Sequence, residues 1–307
     1  MTVKTFLKQV RNAVLFRAVP RRDRVHFLGC GTMYVEPSDR RAQTLVRRSG
    51  LMEPIPACFW HDLCRSLRPD VVLDVGANYG EFILSTRFPT AKTVILIEAN
   101  EQMLPYLRRS IASHPDRAKI VIENCAVWDQ EGTVTFCRDR RWSGTSWATS
   151  QPEAPDADGM DASDDTDDTF EQISLRARTL DSVLAAHAVP QGARLVFKID
   201  IEGAEERALK GLEATLRTSA AFAGVVEFDR DYLRRSGSDP DAVFDYLNTL
   251  GTTMAIDDQR KTVVVKSAED LGRHANLILC SRDGPIAPWQ APALLRRIPY
   301  ASRSSRH

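Results

Sequence analysis

The chain has 307 residues, of which 43% are hydrophobic and 27% are charged. These proportions are ordinary for a globular protein and exclude a collagen-like, a disulfide-scaffold and a wholly disordered chain. Lys and Arg total 41, Asp and Glu also total 41, and the net charge is therefore zero. Because proteins that grip nucleic-acid phosphates usually carry a basic surplus, this balance predicts that nucleic acid is not a partner.

The six cysteines are scattered along the chain, with no CxxC pair and no short metal-ligand spacing. We therefore expect buried, reduced thiols and neither a zinc site nor a disulfide framework. No segment has the roughly 18 to 20 consecutive apolar residues that a membrane span needs. The N-terminus also lacks the apolar core and cleavage site of a signal peptide. These features predict a cytoplasmic protein.

The first 24 residues are basic and amphipathic. They contain seven Lys and Arg residues and one acidic residue, Asp23. Apolar side chains recur at helical spacing until Pro20. Either this predicted helix packs across the body of the protein or a second subunit, or it lies on an anionic membrane surface. We favour the first interpretation. A hairpin-like segment at residues 26–35 follows, and residues 1–57 are therefore predicted to form an N-terminal extension.

From residue 71 onward, apolar runs alternate with helical segments. Strands are predicted at residues 71–75, 94–98, 120–124, 195–199 and 223–228, with a closing antiparallel ribbon at 253–256, 262–265 and 275–280. Helices are predicted at residues 80–87, 101–113, 180–188, 203–217 and 240–250. Buried strands interleaved with helices indicate βαβ units. The expected fold is α/β: a Rossmann-like, doubly wound, mostly parallel seven-stranded sheet with an antiparallel edge, occupying residues 58–283.

Two segments fall outside this pattern. Residues 152–170 carry eight acidic residues and no Lys or Arg. Mutual repulsion and the lack of large apolar side chains predict a mobile loop over residues 151–171. Its acids resemble a calcium loop only faintly, since the remaining ligands and the closing Glu are missing. The Pro- and Arg-rich residues 284–307 are predicted to be a peripheral tail.

The strongest motif is an apolar strand that runs into a glycine-rich turn at residues 76–80. Gly76 and Gly80 are spaced G-x-x-x-G, whereas the dinucleotide fingerprint is G-x-G-x-x-G, whose middle glycine lets a pyrophosphate approach the backbone. Asp74, just before the turn, is unfavourable for a phosphate and suits a ligand with an ammonium group. S-adenosylmethionine has that group and no phosphate.

Polar residues at the next two strand ends fit the rest of such a ligand. Glu98 ends the second predicted strand, where a carboxylate can accept hydrogen bonds from both ribose hydroxyls. The alternative is a charge that stabilises a helix N-terminus. Asn124 and Ala126 follow the third strand, close to where an adenine ring would lie. Packing within a loop is their alternative role.

Two carboxylates, Asp200 and Glu202, follow the strand predicted at residues 195–199. They point the same way if the strand continues, because side chains alternate with a period of two. Such a pair can act as a general base or chelate a divalent cation. The alternative is that they cap the helix predicted from Gly203. Lys198, inside the strand, is unusual and is expected to pair with a nearby acid.

Taken together, these segments resemble the FkbM family of S-adenosylmethionine-dependent methyltransferases. The resemblance rests on residues 74–80, 98–100, 178–181 and 198–205, with Gly211 and residues 226–227 in matching order, and it spans roughly residues 53–280. It implies a class I methyltransferase domain that mostly methylates hydroxyl oxygens. Typical acceptors are sugars, glycan residues and polyketide or macrolide products.

The resemblance also implies roles by position. The methionine part of the cofactor would be held by Asp74, Gly76, Asn78 and Gly80. Glu98 would hold the ribose, and Asn124 with Ala126 would flank the adenine. Asp200 and Glu202 would lie on the acceptor side. Residues 200–203 stand where N-methyltransferases carry an Asn-Pro-Pro-Tyr type turn, which favours oxygen as the acceptor atom.

We therefore predict an O-methyltransferase of a small-molecule or carbohydrate acceptor. Asp200 is the expected base, or the ligand of an assisting divalent cation, with Glu202 in support; no metal ligand set is assigned. Four histidines are alternative candidates for the base. We prefer His274 to His61, His114 and His187. Residues 142–147 are interpreted either as an acceptor-binding loop or as a hydrophobic anchor.

Two other functions compete with this one. The first is a protein that binds S-adenosylmethionine without catalysis and acts at a membrane or on a partner through the N-terminal helix. The second, a nicotinamide-dependent oxidoreductase, is opposed by the glycine spacing and by Asp74. The sequence names neither the acceptor nor the oligomeric state.

Overall fold

The computed structural model describes residues 23–150, 170–283 and 286–296. The predicted basic helix, residues 151–169 of the predicted acidic loop and most of the predicted tail lie outside these ranges. Phe170 and Glu171, predicted to close that loop, instead begin a strand.

The chain enters the described region through a hairpin and two helices. Strands β1 (Arg24–Phe27) and β2 (Gly31–Tyr34) pair antiparallel, as the hairpin prediction requires. Helices α1 (Arg40–Arg47) and α2 (Pro54–Leu67) follow. No helix was predicted between residue 36 and residue 57, and α2 crosses the predicted domain boundary at residue 58. Since the hairpin, α1 and α2 all contribute buried side chains to the core on one face of the main sheet, the described part of the extension packs on that sheet.

An eight-stranded sheet forms the centre of the protein, in the order β13-β12-β14-β11-β10-β3-β4-β5. The parallel strands are β3 (Val71–Val75), β4 (Thr93–Ile97), β5 (Ile120–Glu123), β10 (Arg194–Ile199) and β11 (Ala221–Asp229). The antiparallel edge consists of β12 (Thr252–Ile256), β13 (Thr262–Val264) and β14 (His274–Cys280). The predicted architecture is confirmed. This sheet has eight strands, whereas seven were expected. The short strand β13 pairs with β12 and is the additional, outermost strand.

Helices cover both faces of this sheet. One face carries α1, α2, α3 (Glu81–Leu84) and α4 (Leu104–Ala112). The other carries α5 (Leu180–Ala186), α6 (Glu205–Lys210), α7 (Glu213–Thr218), α8 (Arg230–Arg235) and α9 (Pro240–Leu250). A short α10 (Ala293–Arg296) comes last. The single helix predicted at residues 203–217 is two helices, because the chain turns at Gly211, whose α-carbon lies against the Trp128 carbonyl.

A second, four-stranded sheet was not predicted. Its order is β6-β9-β7-β8, with β6 (Ala126–Val127), β7 (Gly132–Asp139), β8 (Trp147–Thr149) and β9 (Phe170–Arg178). Strands β6 and β8 have only two and three residues, and β9 is mostly half-exposed. None of these three strands therefore has the long apolar run that marks a buried strand in a sequence.

All six cysteines are buried free thiols, in agreement with the sequence prediction. Burial raises the pKa of the Cys30 thiol to about 11, so it is protonated and unreactive near neutral pH. Within the described ranges, no helix combines the length and the apolar character that a bilayer crossing requires.

The turn after β3 packs against the backbone that follows β10. Gly76 has φ +77°, and a Cβ added there would lie 2.0 Å from the carbonyl oxygen of Asp200. Because that neighbour is backbone, it has no side-chain freedom with which to yield. Only glycine satisfies both the φ angle and the space.

We predict that Gly76→Ala lowers the free energy of unfolding by more than about 4 kcal/mol or prevents folding. The matched control is Gly192→Ala, where φ is +75° but nothing lies within 4 Å of the added Cβ. The control should lose only about 1 to 2 kcal/mol, the cost of the left-handed backbone. Urea unfolding measures both. Equal losses would show that the contact with Asp200 is unimportant.

Candidate active site

A cleft lies at the carboxyl ends of β3, β4 and β10, and the second sheet and the loop before β8 form its other wall. This is the edge at which open α/β sheets bind ligands. Its walls include backbone turns, apolar side chains and acids, contributed by Arg41, Val75, Gly76, Asn78, Ile97, Glu98, Ala99, Cys125, Ala126, Val127, Phe136, Ser143, Gly144, Ser146, Ala148, Asp200, Ile201, Glu202 and Ala204.

The glycine turn is fixed to the end of β4. The backbone amides of Gly76 and Ala77 donate to the Ile97 carbonyl at 2.9 and 3.0 Å. Asn78 adopts a left-handed φ of +48°, which asparagine tolerates better than most residues. As a result the turn presents Gly76 and Asn78 to the cleft.

Glu98 lies in the cleft wall with only 6% of its surface exposed. One carboxylate oxygen accepts from the backbone amide of Asn78 at 2.6 Å, the other from that of Asn100 at 2.7 Å. Burial raises the pKa of Glu98, while these two hydrogen bonds act in the opposite direction. Both oxygens are thereby held in a fixed orientation, each with acceptor capacity left for a hydroxyl.

Two of the other predicted cofactor residues lie behind the wall. The Asn124 side chain donates to the carbonyls of Glu98 and Ala99, at 2.8 and 3.1 Å, and so braces the β4 end. Gly80 precedes α3 and packs towards Leu107. Ala126, by contrast, lines the cleft.

Asp74 is 1% exposed and is not part of the cleft wall. Its partner is Lys198, the buried lysine of β10. The Lys198 Nζ lies 3.1 Å from Asp200 Oδ2 and 3.8 Å from Asp74 Oδ1, and it donates to the Gly76 carbonyl at 3.4 Å. Burial raises the pKa of Asp74 to about 6, against the lowering effect of Lys198. The predicted pairing of Lys198 with an acid is therefore present, with two acids.

Asp200 and Glu202 both line the cleft, and a third carboxylate, Glu227 on β11, joins them. One oxygen from each lies within 4.8 Å of the others. Carboxylate oxygens are the ligands that Mg²⁺ and Ca²⁺ prefer, so this trio could hold a divalent ion. Sequence reasoning gave Glu227 no role in the site. The available signal was an acid near the end of a strongly apolar strand.

Of the four candidate histidines, His274 lies at this edge of the sheet. Its Nδ1 is 3.6 Å from Glu227 Oε1 and 3.6 Å from Asp229 Oδ2. The others are engaged elsewhere: His114 with the Thr86 carbonyl, His187 with Glu123, and His61 within α2. Burial lowers the pKa of His61 to about 4, so it is neutral near pH 7.

The loop before β8, interpreted from the sequence either as an acceptor-binding loop or as a hydrophobic anchor, contributes residues to the cleft wall. Ser143 lines the cleft, and its carbonyl and hydroxyl oxygens accept from the Asn78 side chain at 3.3 and 3.2 Å. Trp147 is 8% exposed, with the Arg235 guanidinium over its ring at 4.1 Å. Arg41, from α1, was also missed, because an arginine in a short polar helix carries no distinguishing pattern.

The family model of the methyltransferase FkbM domain matches residues 74–254, more than half of the chain. The chain belongs to the FkbM methyltransferase family. A search of curated proteins gives no significant match.

Solved methyltransferase structures are similar to this chain at low sequence identity. An FkbM methyltransferase from Methylobacillus flagellatus is 14% identical, with 90% of this chain and 58% of that chain covered and a TM-score of 0.41. A putative O-methyltransferase from Klebsiella pneumoniae is 11% identical, covering 92% of each chain with a TM-score of 0.43. An O-methyltransferase from Bacillus cereus, solved with S-adenosylhomocysteine, is 9% identical, covering 91% of each chain with a TM-score of 0.41. The family match, not these structures, carries the identification.

Family membership confirms the predictions of methyltransferase activity and of S-adenosylmethionine as cofactor. It also agrees with the glycine spacing, which disfavoured a nicotinamide cofactor.

We predict that Lys198→Met lowers the free energy of unfolding by about 3 to 5 kcal/mol at pH 8, because two carboxylates lose their buried counter-ion. The loss should be smaller at pH 5. The folded-state pKa of Asp74, about 6, lies above its usual 3.8, and rises further without Lys198. Protonation below that pKa neutralises Asp74 in the folded state, so stability is lost as pH rises through it.

Lys210→Met is the matched control, since Lys210 forms an exposed pair with Glu206 at 2.7 Å. It should cost about 1 kcal/mol or less at both pH values. Urea unfolding at pH 5 and pH 8 measures the difference. A Lys198→Met loss that does not depend on pH would contradict the assigned charge pairing.

Proposed function

We propose that this FkbM protein is an O-methyltransferase that methylates a hydroxyl group of a small-molecule or carbohydrate acceptor, such as a sugar, a glycan residue or a secondary metabolite. The observation that carries the proposal is the position of Asp200 and Glu202. Both carboxylates line the cleft next to the glycine turn, at the strand end where the acceptor side is expected. A hydroxyl is a poor nucleophile until a base takes its proton, and a carboxylate can do so.

The cleft residues suggest how the cofactor lies. Gly76 and Asn78 would contact its methionine part, and Glu98 would accept hydrogen bonds from the ribose hydroxyls. The adenine would lie against Ala126 and the apolar side chains beside it. Asp74, Gly80 and Asn124 would then act indirectly, by supporting the turn and the β4 end.

S-adenosylmethionine supplies a methyl group that its positive sulfur already activates. The protein's tasks are to align the acceptor oxygen and to remove its proton. Asp200 is proposed to accept that proton as the new oxygen–carbon bond forms and the bond between the methyl carbon and the sulfur breaks, with its electron pair staying on the sulfur. The Lys198 ammonium lies 3.1 Å from the Asp200 carboxylate and fixes its orientation in the cleft wall. Glu202 forms the neighbouring part of the same wall.

A divalent cation is the alternative means of activating the hydroxyl. Asp200, Glu202 and Glu227 would hold it, and it would lower the pKa of a bound hydroxyl. His274 is the alternative base, because Glu227 and Asp229 both lie 3.6 Å from its Nδ1.

The balanced charge of the chain favours a small acceptor over nucleic acid. A competing proposal is that the protein binds S-adenosylmethionine without catalysis and acts on a partner or a membrane surface through residues 1–24. Transfer of a labelled methyl group to any member of a panel of sugars, glycosides and hydroxylated metabolites, with an RNA control, would exclude it.

We predict that Asp200→Asn lowers kcat by roughly 10²- to 10⁴-fold. The dissociation constant for S-adenosylmethionine, measured by calorimetry, should change by no more than about threefold, because the acceptor-side carboxylate is not the main cofactor contact. The control is Asp129→Asn, which removes an acid paired with Arg207 at 2.9 Å outside the cleft wall. Unchanged turnover in Asp200→Asn would refute the assigned base.

A second prediction separates the base from the metal ligand. If Asp200 acts as the base, activity should persist after dialysis against EDTA. Loss of activity on dialysis, restored by Mg²⁺ or Mn²⁺, would instead assign Asp200, Glu202 and Glu227 to a cation. The assay is methyl transfer to the same acceptor before and after chelation.

A further inference from the structure

We propose that Arg41 is a cofactor-binding residue that pairs with the carboxylate of the methionine part of S-adenosylmethionine. The inference rests on the proposed position of that part beside Gly76 and Asn78. Arg41 lies in the N-terminal extension, upstream of residues 74–254 that match the family. A cation from outside the matched domain would thus complete the cofactor site.

The Arg41 side chain reaches the cleft along the backbone of the loop before β8. It lines the cleft together with Gly76, Asn78 and Gly144. A Cβ added at Gly144 would lie 2.6 Å from an Arg41 guanidinium nitrogen and 2.9 Å from its Cδ. The Arg41 side chain therefore occupies the space that a Cβ at position 144 would need, so it packs on the backbone of this loop.

Asp39 fixes the start of α1 to the glycine turn. One of its carboxylate oxygens accepts from the backbone amides of Arg41 and Ser143, at 2.9 and 3.3 Å. The other accepts from the hydroxyls of Tyr79 and Ser143, each at 2.7 Å. Ser143 in turn binds the Asn78 side chain. Because these contacts share one buried carboxylate, Arg41 is held at a set position relative to the turn.

The position of Arg41 does not serve its own helix. Arg40 and Arg41 occupy the first turn of α1, where no acid is present and where the helix dipole disfavours positive charge. Among the described residues, the buried Nε of Arg41 has no hydrogen-bond acceptor. A buried donor without an acceptor is costly, so an external anion is the expected partner.

Nearby acids do not neutralise Arg41. Burial raises the pKa of Glu81 to about 7, although the charge of Arg41 lowers it, so Glu81 is only partly ionised near neutral pH. One Glu81 oxygen already accepts from the backbone amides of Met52 and Glu53. Asp74 and Asp200 are paired with Lys198. Arg41 is thus left as a cation facing the cleft.

The methionine part of the cofactor carries one ammonium and one carboxylate group. Arginine's planar guanidinium matches a carboxylate and can donate two parallel hydrogen bonds to it. An anionic group on the acceptor is the other possible partner of Arg41, and the test distinguishes the two.

The test compares S-adenosylmethionine with its decarboxylated analogue, which keeps the ammonium, the sulfonium and the adenosine. Calorimetry of the full chain should show that Arg41→Ala weakens S-adenosylmethionine binding by about 10- to 100-fold. Affinity for the decarboxylated analogue should change by less than about threefold. Arg41→Lys should restore part of the loss. Arg40→Ala, which removes the exposed neighbouring arginine, should leave both affinities unchanged.

The other outcomes are also decisive. Equal losses for both ligands would show that Arg41 only supports the fold, and would overturn the inference. Unchanged S-adenosylmethionine affinity with a raised KM for the acceptor would assign Arg41 to an anionic acceptor instead. Absence of S-adenosylmethionine binding by the unaltered chain would overturn the proposed function, and this inference with it.

Discussion

The buried ammonium of Lys198 is the interaction on which the site depends. It joins Asp74 on β3, Asp200 after β10 and the carbonyl of Gly76. Burial lowers the pKa of Lys198, but the charges of Asp200 and Asp74 outweigh that effect and raise it, so the lysine stays charged. Two carboxylates this close would otherwise repel each other in a low-dielectric environment. The ammonium lets both strand ends converge on one cleft.

Segments distant in the chain then complete that cleft. The hydrogen bonds between Asp39 and Ser143 join residues that are 104 positions apart in the sequence. The hydrogen bond between Asp39 and Tyr79 joins residues that are 40 positions apart. The second sheet supplies the apolar wall opposite Glu98. Neither contribution belongs to the parallel strands themselves. The parallel strands position the glycine turn and the carboxylates. The N-terminal extension, the loop before β8 and the second sheet form the other side of the cleft and contribute the Arg41 side chain.

Local patterns predicted the main sheet well. The runs at β3, β4 and β10 are buried on both faces, so most of their residues are apolar. Helix α1 was missed because Pro37-Ser38-Asp39 is also a turn signal, whereas here Asp39 is the N-cap. The second sheet was missed because short, half-exposed strands carry no strong period. The helix at residues 203–217 was predicted as one, although Gly211 divides it.

The amino-acid sequence by itself determined the fold class, the glycine turn and the acids at the strand ends, since these depend on residues adjacent in the chain and on the geometry of parallel strands. It could not place Asp74, which precedes the turn yet faces Lys198 instead of the cleft. Nor could it bring Arg41 or Glu227 to the site. Those positions depend on how separate elements pack together, so only the tertiary structure decided them.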